Sequence, residues 1–286
     1  MKRVSVVTDS TACIPAELAA RHQIEVIPLY LAFDDQVYQD GMTEGAAEFY
    51  ELLRTAKQAP ATAAPSPGAY AETFLRTGED AAAILCLTVS RQFSALYDAA
   101  VQGAALARER APDLDIRVLD STAAAMAQGF VVLEAARAAQ AGDTIDQVIA
   151  RAEAVMPHVQ LLIMLDTLKY LKNSGRVPRV VIWAASPLHV RPIITYRRGA
   201  YRPAAIARSR RRGIERLLQG LEQRTAGERL HVCVHHTNAL ADAEALAGQV
   251  RAALQPEELF VGEFTQVMGV HTGPGLLGFA FFTEPT

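Results

Sequence analysis

The chain has 286 residues, half of them hydrophobic, and a net charge of -3 at pH 7. This length allows two domains with sizeable cores, and the charge excludes the basic signature of a nucleic-acid-binding protein. The three cysteines lie far apart in sequence, so they predict neither a disulfide framework nor a zinc site. The apolar runs are too short to span a bilayer and the chain starts without a signal-peptide pattern, which predicts a cytoplasmic protein.

The first half alternates apolar segments with helical patterns. Predicted strands lie at Val4–Val7, Glu25–Phe33, Ala81–Val89 and Ile116–Leu119, and predicted helices at Met42–Ala56, Ala95–Arg108 and Ala123–Ala141. Nearly continuous apolar strands are typical of a parallel sheet covered on both faces. The repeated order of strand and helix therefore predicts a Rossmann-like, doubly wound α/β domain.

Polar residues follow the predicted strands of this half. Asp9 and Ser10 follow the first strand, and Ser90 follows the strand at Ala81–Val89. Open α/β sheets bind ligands at the carboxyl ends of their strands. Ser94 precedes a predicted helix, where its hydroxyl is either a plain N-cap or a group beside free backbone donors that favour an anion.

The segment Ala59–Gly68 contains three prolines and predicts a stiff, irregular loop. In the first half of this loop, Thr62 is the polar side chain best placed to contact a ligand.

The second half has a different pattern. Strands are predicted at Gln160–Leu165, Val190–Tyr196, Tyr201–Ala207, His231–His235 and Glu258–Phe264, with a helix at Leu240–Leu254 and a helix stop at Gly175. The segments around Arg197–Ala200 indicate a hairpin. We therefore predict a mixed sheet covered by helices on one side, in a domain spanning residues 157–286 after a first domain of residues 1–156.

His271 lies in the run Val267–Gly278, where two glycines surround Pro274 and predict a rigid turn. Gly273–Gly278 matches the glycine spacing of a dinucleotide-binding loop, but the following residues predict a strand rather than the required helix, so we exclude that function. The residues alone leave open whether this is a binding element or a turn before the last strand.

Catalysis is an alternative that the residues leave open. A hydrolase or acyltransferase would use Ser94 or Ser10 as nucleophile, His271 as base and Asp9 to orient it, but the sequence lacks a GxSxG motif. Metal binding is not predicted, because the adjacent His235 and His236 would point to opposite faces of a strand.

The arginines form a cluster after the predicted hairpin. Arg210–Arg212 is most simply a solvated helix start, and the acidic net charge argues against nucleic acid. A docking surface or transient membrane contact is a second interpretation of this face. Arg208 follows an apolar strand directly, so its guanidinium can turn inward toward a carboxylate or phosphate.

Several short motifs occur together in one order along nearly the whole chain, and with them the sequence resembles the DegV family of bacterial fatty-acid-binding proteins. They are TDST at Thr8–Thr11, VIPL at Val26–Leu29, DG at Asp40–Gly41, the loop Pro60–Gly68, Ser94 with Tyr97, DS at Asp120–Ser121, DTLKYLKNSGR at Asp166–Arg176, RPII from Arg191, Arg208, and HTGPGLLG from His271.

The resemblance implies a Rossmann-like domain packed on a mixed-sheet domain, with a long-chain fatty acid such as palmitate between them. It implies that Thr62 and Ser94 hydrogen-bond the carboxylate, that His271 and Arg208 complete the head-group site, and that Ser10 lies close to it. It further implies a cytoplasmic, non-catalytic protein without a cofactor, which presents the carboxylate to a separate fatty acid kinase for phosphorylation to an acyl phosphate. A regulatory protein with a structural lipid is a third interpretation.

The chain departs from the family pattern beside both hydroxyls. Ala63 and Ala64 follow Thr62 where the family commonly has Ser-Gln, and Ala95 and Leu96 follow Ser94 where it has Gly-Thr. The anchoring hydroxyls remain, so carboxylate binding is still expected. The departures bear on the shape of the adjacent cavity and on which acyl chain fits.

Overall fold

A computed structural model describes residues 3–33, 36–41, 46–55, 60–175, 190–197 and 199–284. The first half forms the predicted parallel sheet, with the hydrogen-bonded order β2-β1-β6-β7. Its strands are β1 (Arg3–Asp9), β2 (Glu25–Ile27), β6 (Ala81–Thr88) and β7 (Asp115–Asp120). The expected doubly wound domain is therefore confirmed.

Helices flank this sheet. They are α1 (Ala16–Arg21), α3 (Pro67–Gly78), α4 (Leu96–Arg110), α5 (Met126–Ala141) and α6 (Ile145–Val155), with a 3₁₀ turn at Ser10–Ala12. α5 and α6 lead from the last strand of this sheet to the sheet of the second half. α6 starts with a capping box, in which Thr144 and Gln147 satisfy each other's backbone donors. The alternation of strands and helices in the sequence thus produces a parallel sheet covered by helices, with the carboxyl ends of its strands at one edge of the sheet.

The predicted strand at Glu25–Phe33 is wrong in one respect, because the chain breaks it at Pro28. β2 ends at Ile27, and β3 (Tyr30–Phe33) leaves the main sheet. It pairs antiparallel with β4 (Gln36–Gln39) and β5 (Ala61–Ala63) in a small sheet of order β4-β3-β5. Proline lacks the N–H that a continuing ladder needs, which explains the break. Beyond β4 (Gln36–Gln39), α2 (Ala46–Thr55) falls within the predicted helix.

The second half forms the predicted mixed sheet, in the order β10-β9-β8-β13-β11-β12. Its strands are β8 (Gln160–Met164), β9 (Arg191–Arg197), β10 (Ala200–Ala207), β11 (Leu230–His236), β12 (Glu258–Glu263) and β13 (Leu277–Thr283). Its helices are α7 (Lys169–Ser174), α8 (Arg210–Thr225), α9 (Leu240–Leu254) and α10 (Gln266–Thr272). β9 and β10 pair antiparallel, which confirms the hairpin, while β11 and β12 run parallel.

α5 packs against both large sheets and joins their cores. It contacts β1 on one side and β13 on the other, and it is buried around most of its circumference. A single apolar cluster therefore includes Leu85 of β6, Phe130 of α5 and Phe282 of β13. The predicted boundary near residue 156 divides the sequence, but the apolar core continues across it.

Two further expectations concern cysteines and membranes. Cys13, Cys86 and Cys233 are buried free thiols, as predicted, and burial raises the pKa of each of them. Among the helices that the structure describes, none combines the length and the apolar character that a bilayer-crossing segment needs.

Candidate functional site

A cavity lies where the first sheet, the small sheet and α10 meet. Its walls come from both halves of the sequence and combine an apolar majority with a few polar side chains. The lining residues are Thr11, Leu29, Thr62, Ala63, Ala64, Val89, Phe93, Ser94, Leu96, Ala124, Leu171, Ser174, Tyr201, Val267, Met268, His271 and Thr272. An apolar cavity with few convergent polar groups is typical of a small-molecule site.

Thr62 and His271 meet in this cavity. Thr62 Oγ1 lies 3.3 Å from His271 Nε2. Thr62 is at the centre of β5 (Ala61–Ala63), paired opposite Leu31 of β3. The predicted irregular loop thus contains a short strand, and the ladder to β3 fixes the direction of the threonine hydroxyl.

His271 belongs to the last turn of α10 rather than to a turn before the final strand, which corrects the predicted local structure. The tight turn follows it, with Gly273 at φ +77° and Gly275 at φ +84°. A β-carbon at Gly273 would collide with the Tyr170 ring, so glycine permits the close approach of α10 and α7.

Ser94 lines the same cavity, one position before the N-cap of α4. The N-cap is Ala95, which makes no side-chain capping bond, so of the two alternatives for Ser94 the structure does not support a plain N-cap. The residues before Ser94 form a turn, in which the Phe93 N–H donates to the Ser90 carbonyl at 2.9 Å. The Ser94 hydroxyl is therefore not used to cap the helix.

The structure does not bring Ser10 and Arg208 to the cavity surface. Ser10 is buried and donates a 2.6 Å hydrogen bond to Asp40 Oδ2, while its neighbour Thr11 lines the cavity. Arg208 is exposed at the end of β10 and is not among the lining residues. The arginine that does turn inward is Arg210.

Arg210 supports the turn that follows His271. Its guanidinium donates to the carbonyl of Gly275 at 2.8 Å and to Asp166 Oδ1 at 3.2 Å, and it pairs with Asp242. The opposite side of the turn is held by Thr237, whose hydroxyl donates to the Gly273 carbonyl at 2.6 Å. Arg210 is therefore engaged in internal contacts, and only Arg211 and Arg212 of the predicted basic face remain exposed.

A buried carboxylate, Asp9, organises the strand ends below the cavity. It accepts hydrogen bonds from the backbone of Val89 at 2.8 Å and of Thr11 at 3.0 Å, and from the Gln128 side chain at 3.2 Å. Burial raises the pKa of Asp9, against the opposing effect of these hydrogen bonds and that of the Thr11 hydroxyl. Asp9 thus fixes the segment before Ser94 rather than facing a ligand.

These contacts do not assemble the catalytic trio considered from the sequence. In the described structure the hydrogen bonds of Asp9 go to Val89, Thr11 and Gln128, so it does not orient His271. Nor do the described residues contain a cluster of histidine, cysteine, aspartate and glutamate side chains that would hold a metal ion.

The sequence did not single out the aromatic and hydroxyl residues that complete the cavity. Tyr201 packs on Phe93 with ring centroids 5.4 Å apart, and both line the site. Burial raises the pKa of the Tyr201 hydroxyl. The sequence showed only that Tyr201 lies near the start of the second hairpin strand. It did not show that this hairpin brings Tyr201 to the cavity beside the first sheet.

The comparisons with known proteins agree with this fold. A family model described as "Uncharacterised protein, DegV family" matches residues 3–284. A DegV domain-containing protein of Streptomyces coelicolor is 35% identical over 280 residues, which cover 97% of each chain. Protein DegV of Bacillus subtilis is 28% identical over 277 residues, covering 96% of this chain and 97% of the relative.

Solved structures of such proteins superpose over nearly the full length. A DegV family protein of Thermus thermophilus, whose structure is described as showing fatty acid binding, has a TM-score of 0.90 at 28% identity and covers 98% of this chain and 99% of its own. DegV of Bacillus subtilis, described as a fatty acid binding protein, has a TM-score of 0.86 at 27% identity, with 99% and 100% covered. The chain belongs to the DegV family.

Proposed function

We propose that this chain binds a long-chain fatty acid in the cavity, with the carboxylate at Thr62, Ser94 and His271 and the acyl chain along the apolar walls. The observation that carries the proposal is the contact of Thr62 Oγ1 with His271 Nε2 at 3.3 Å inside a cavity whose walls are mostly apolar. Hydroxyl and imidazole donors match a carboxylate, and the solved relatives described as fatty acid binding proteins support the ligand class.

The acyl chain and the carboxylate of the ligand contribute differently to the free energy of binding. Burial contributes about 0.8 kcal/mol per methylene, or roughly 11 kcal/mol before costs for about fourteen methylenes. Each charge-assisted hydrogen bond contributes about 1.5–3 kcal/mol before the cost of desolvating the carboxylate. The acyl chain therefore supplies most of the affinity, and the polar residues fix which end lies at His271.

The cavity measures about 90 Å³, whereas pockets for drug-sized ligands occupy roughly 300–1,000 Å³. A long acyl chain therefore has to displace lining side chains. Met268 is suited to this because an unbranched thioether adapts its shape at small cost.

The other predicted contacts take secondary places in the proposal. Ser10 acts from behind the cavity through Asp40, and Arg208 contributes only if its exposed side chain turns inward. Arg211, with its side chain 84% exposed, and Arg212 remain for contact with a partner or transiently with a membrane.

We further propose that the protein is a cytoplasmic carrier rather than an enzyme, and that a separate kinase converts the bound carboxylate to an acyl phosphate. The family resemblance supports this role. Palmitate-loaded protein should yield a hydroxamate-trappable acyl phosphate when ATP and a purified fatty acid kinase are added, and none without the kinase. Turnover of an acyl ester by the protein alone, abolished in Ser94→Ala, would instead establish the hydrolase alternative.

Ligand identity is tested by denaturing mass spectrometry of an organic extract of the purified protein. We expect about one fatty acid per chain in the wild type and depletion in the double variant Thr62→Ala, Ser94→Ala. Equal lipid in both proteins, or none in the wild type after incubation with palmitate, would overturn the assignment of the hydroxyls as the anchor.

A further inference from the structure

The start of α10 is attached to a loop from the other half of the sequence. Val267 donates its backbone N–H to Asp40 Oδ1 at 3.0 Å, and Gly41 donates its N–H to the side chain of Gln266 at 3.2 Å. These contacts join residues more than 220 positions apart. The loop after β4 therefore fixes where the helix that carries His271 begins.

Both oxygens of the Asp40 carboxylate are used. Oδ1 accepts from Val267, and Oδ2 accepts the Ser10 hydroxyl at 2.6 Å. Ser10 Oγ in turn accepts the backbone N–H of Leu29 at 3.1 Å. Asp40 is only 4% exposed, so this carboxylate is held inside the protein by hydrogen bonds rather than by solvent.

Asp40 also continues the small sheet. Its N–H donates to the Leu29 carbonyl at 2.8 Å, directly before β3, and β3 pairs with the strand that carries Thr62. One residue thus connects the end of β1, the sheet of Thr62 and the helix of His271. Its side chain reaches Ser10 and Val267, and it reaches Leu29 through its own N–H and through Ser10. The distance between Thr62 and His271 depends on both connections.

We propose that Asp40 is a positioning residue of the ligand site: it sets α10 and the small sheet so that the His271 imidazole and the Thr62 hydroxyl face the same carboxylate. The inference rests on the proposed function for its ligand, but the placement of His271 is measurable without any ligand. Burial raises the pKa of Asp40, and hydrogen bonds from Ser10 and Val267 partly oppose that effect.

The test compares Asp40→Ala with Asp40→Asn. Alanine removes both acceptors, whereas the asparagine oxygen can still accept from Val267 and its amide can donate to Ser10 Oγ. We expect Asp40→Ala to weaken palmitate binding roughly tenfold, because α10 loses the acceptor that holds its first turn. Asp40→Asn should recover most of this loss. Asp146→Asn, whose side chain is 82% exposed, is the matched control and should bind as the wild type does.

Two further measurements distinguish positioning of His271 from a general effect of Asp40 on folding. In a double-mutant cycle, Asp40→Ala should cost clearly less affinity once His271 is alanine, because the part of its effect that passes through His271 is then absent and only the part through Thr62 remains. In the NMR spectrum of histidine-labelled protein without ligand, the ring signals of His271, assigned with His271→Ala, should move in Asp40→Ala and return in Asp40→Asn.

The outcomes distinguish the two proposals. No palmitate binding by the wild type would contradict the proposed function, and the His271 signals would still decide the positioning role. Unchanged His271 signals with unchanged affinity, or an equal affinity loss in the His271→Ala background, would overturn the role of Asp40. If Asp40→Ala does not fold, Ser10→Ala removes the contacts to Asp40 Oδ2 and to the Leu29 N–H but keeps the Val267 contact, and it must show a smaller loss with the same dependence on His271.

Discussion

The Thr62 hydroxyl oxygen lies 3.3 Å from His271 Nε2, although 209 positions separate the two residues in the sequence. Replacing Thr62 with valine keeps the shape of the side chain and removes the hydroxyl. We expect palmitate affinity to fall roughly tenfold, since one hydrogen bond to a charged group is lost. Isothermal titration calorimetry measures the change.

A control for this substitution is Thr77→Val, since Thr77 lies on α3 and is not a lining residue of the cavity. It should leave the affinity unchanged. If Thr62→Val binds palmitate as tightly as Thr77→Val, the threonine hydroxyl is not a ligand contact.

Gly269 permits α10 to lie against α2. A β-carbon at this position would stand 2.9 Å from Tyr50 Cε1 and closer still to its hydroxyl. Because Tyr50 is 2% exposed and cannot move freely, Gly269→Ala should lower the free energy of unfolding by about 1–3 kcal/mol. It should also weaken palmitate binding by shifting His271.

The chain offers a matched glycine for comparison. Gly248 lies within α9, and a β-carbon there would meet nothing within 4 Å. Gly248→Ala should therefore stabilise the protein by about 0.5–1 kcal/mol through helix propensity. Equal urea-unfolding midpoints for the two alanine variants would contradict the close contact at Gly269.

His235 makes the free energy of unfolding depend on pH in the acid range. Nε2 accepts the Met126 N–H of α5 at 3.1 Å, and Nδ1 lies 3.0 Å from the Gly262 carbonyl, so the buried ring is neutral. Burial lowers its pKa to about 3, although the bond to Gly262 partly opposes this. In the unfolded chain the ring titrates near 6.5, and stability is lost as pH falls from there toward 3. About 2 kcal/mol should be lost by pH 5.

Urea titrations at pH 7 and pH 5 measure this loss. His235→Gln should be less stable at pH 7 but should lose less between the two pH values, because glutamine takes up no proton. Parallel losses in the wild type and the variant would show that His235 is not the acid-sensitive group.

His231 is expected to behave in the opposite way. Burial alone would lower its pKa, but hydrogen bonds to Glu258, at 2.8 Å, and Glu284, at 3.2 Å, outweigh burial and raise it. A raised pKa gives stability that is complete below about 6.5 and is lost as pH rises through the folded-state value. The stability difference between wild type and His231→Gln should therefore shrink from pH 6 to pH 9. A constant difference would mean that packing on Phe282 alone accounts for it.

Periodicity predicted the two sheets well, because buried parallel strands have a distinct apolar pattern. It missed the break at Pro28, since proline permits either a strand edge or a change of sheet and tertiary pairing decides between them. It also missed the strand around Thr62, where three residues between prolines become regular only by pairing with β3. Short elements of this kind depend on their partners rather than on their own composition.

The arginines show where reasoning from sequence fails at the site. Position after an apolar strand favoured Arg208 as the inward cation, yet Arg210 makes the internal contacts. Arg208 lies before the N-cap Ser209, whereas Arg210 is the first residue of α8. Which face meets the glycine turn is set by the packing of α8 on the mixed sheet, and that packing involves residues distant in sequence.

The position of α5 limits how a ligand can enter and leave. A helix whose apolar surface is shared by two sheets resists being uncovered, since separating the sheets would expose a core built from both. A movement that separates the two large sheets is therefore unfavourable. The buried apolar side chains of the small sheet and of α10, which are Leu31, Val267 and Val270, belong to a different apolar cluster. Moving these two walls of the cavity therefore does not require the two large sheets to separate.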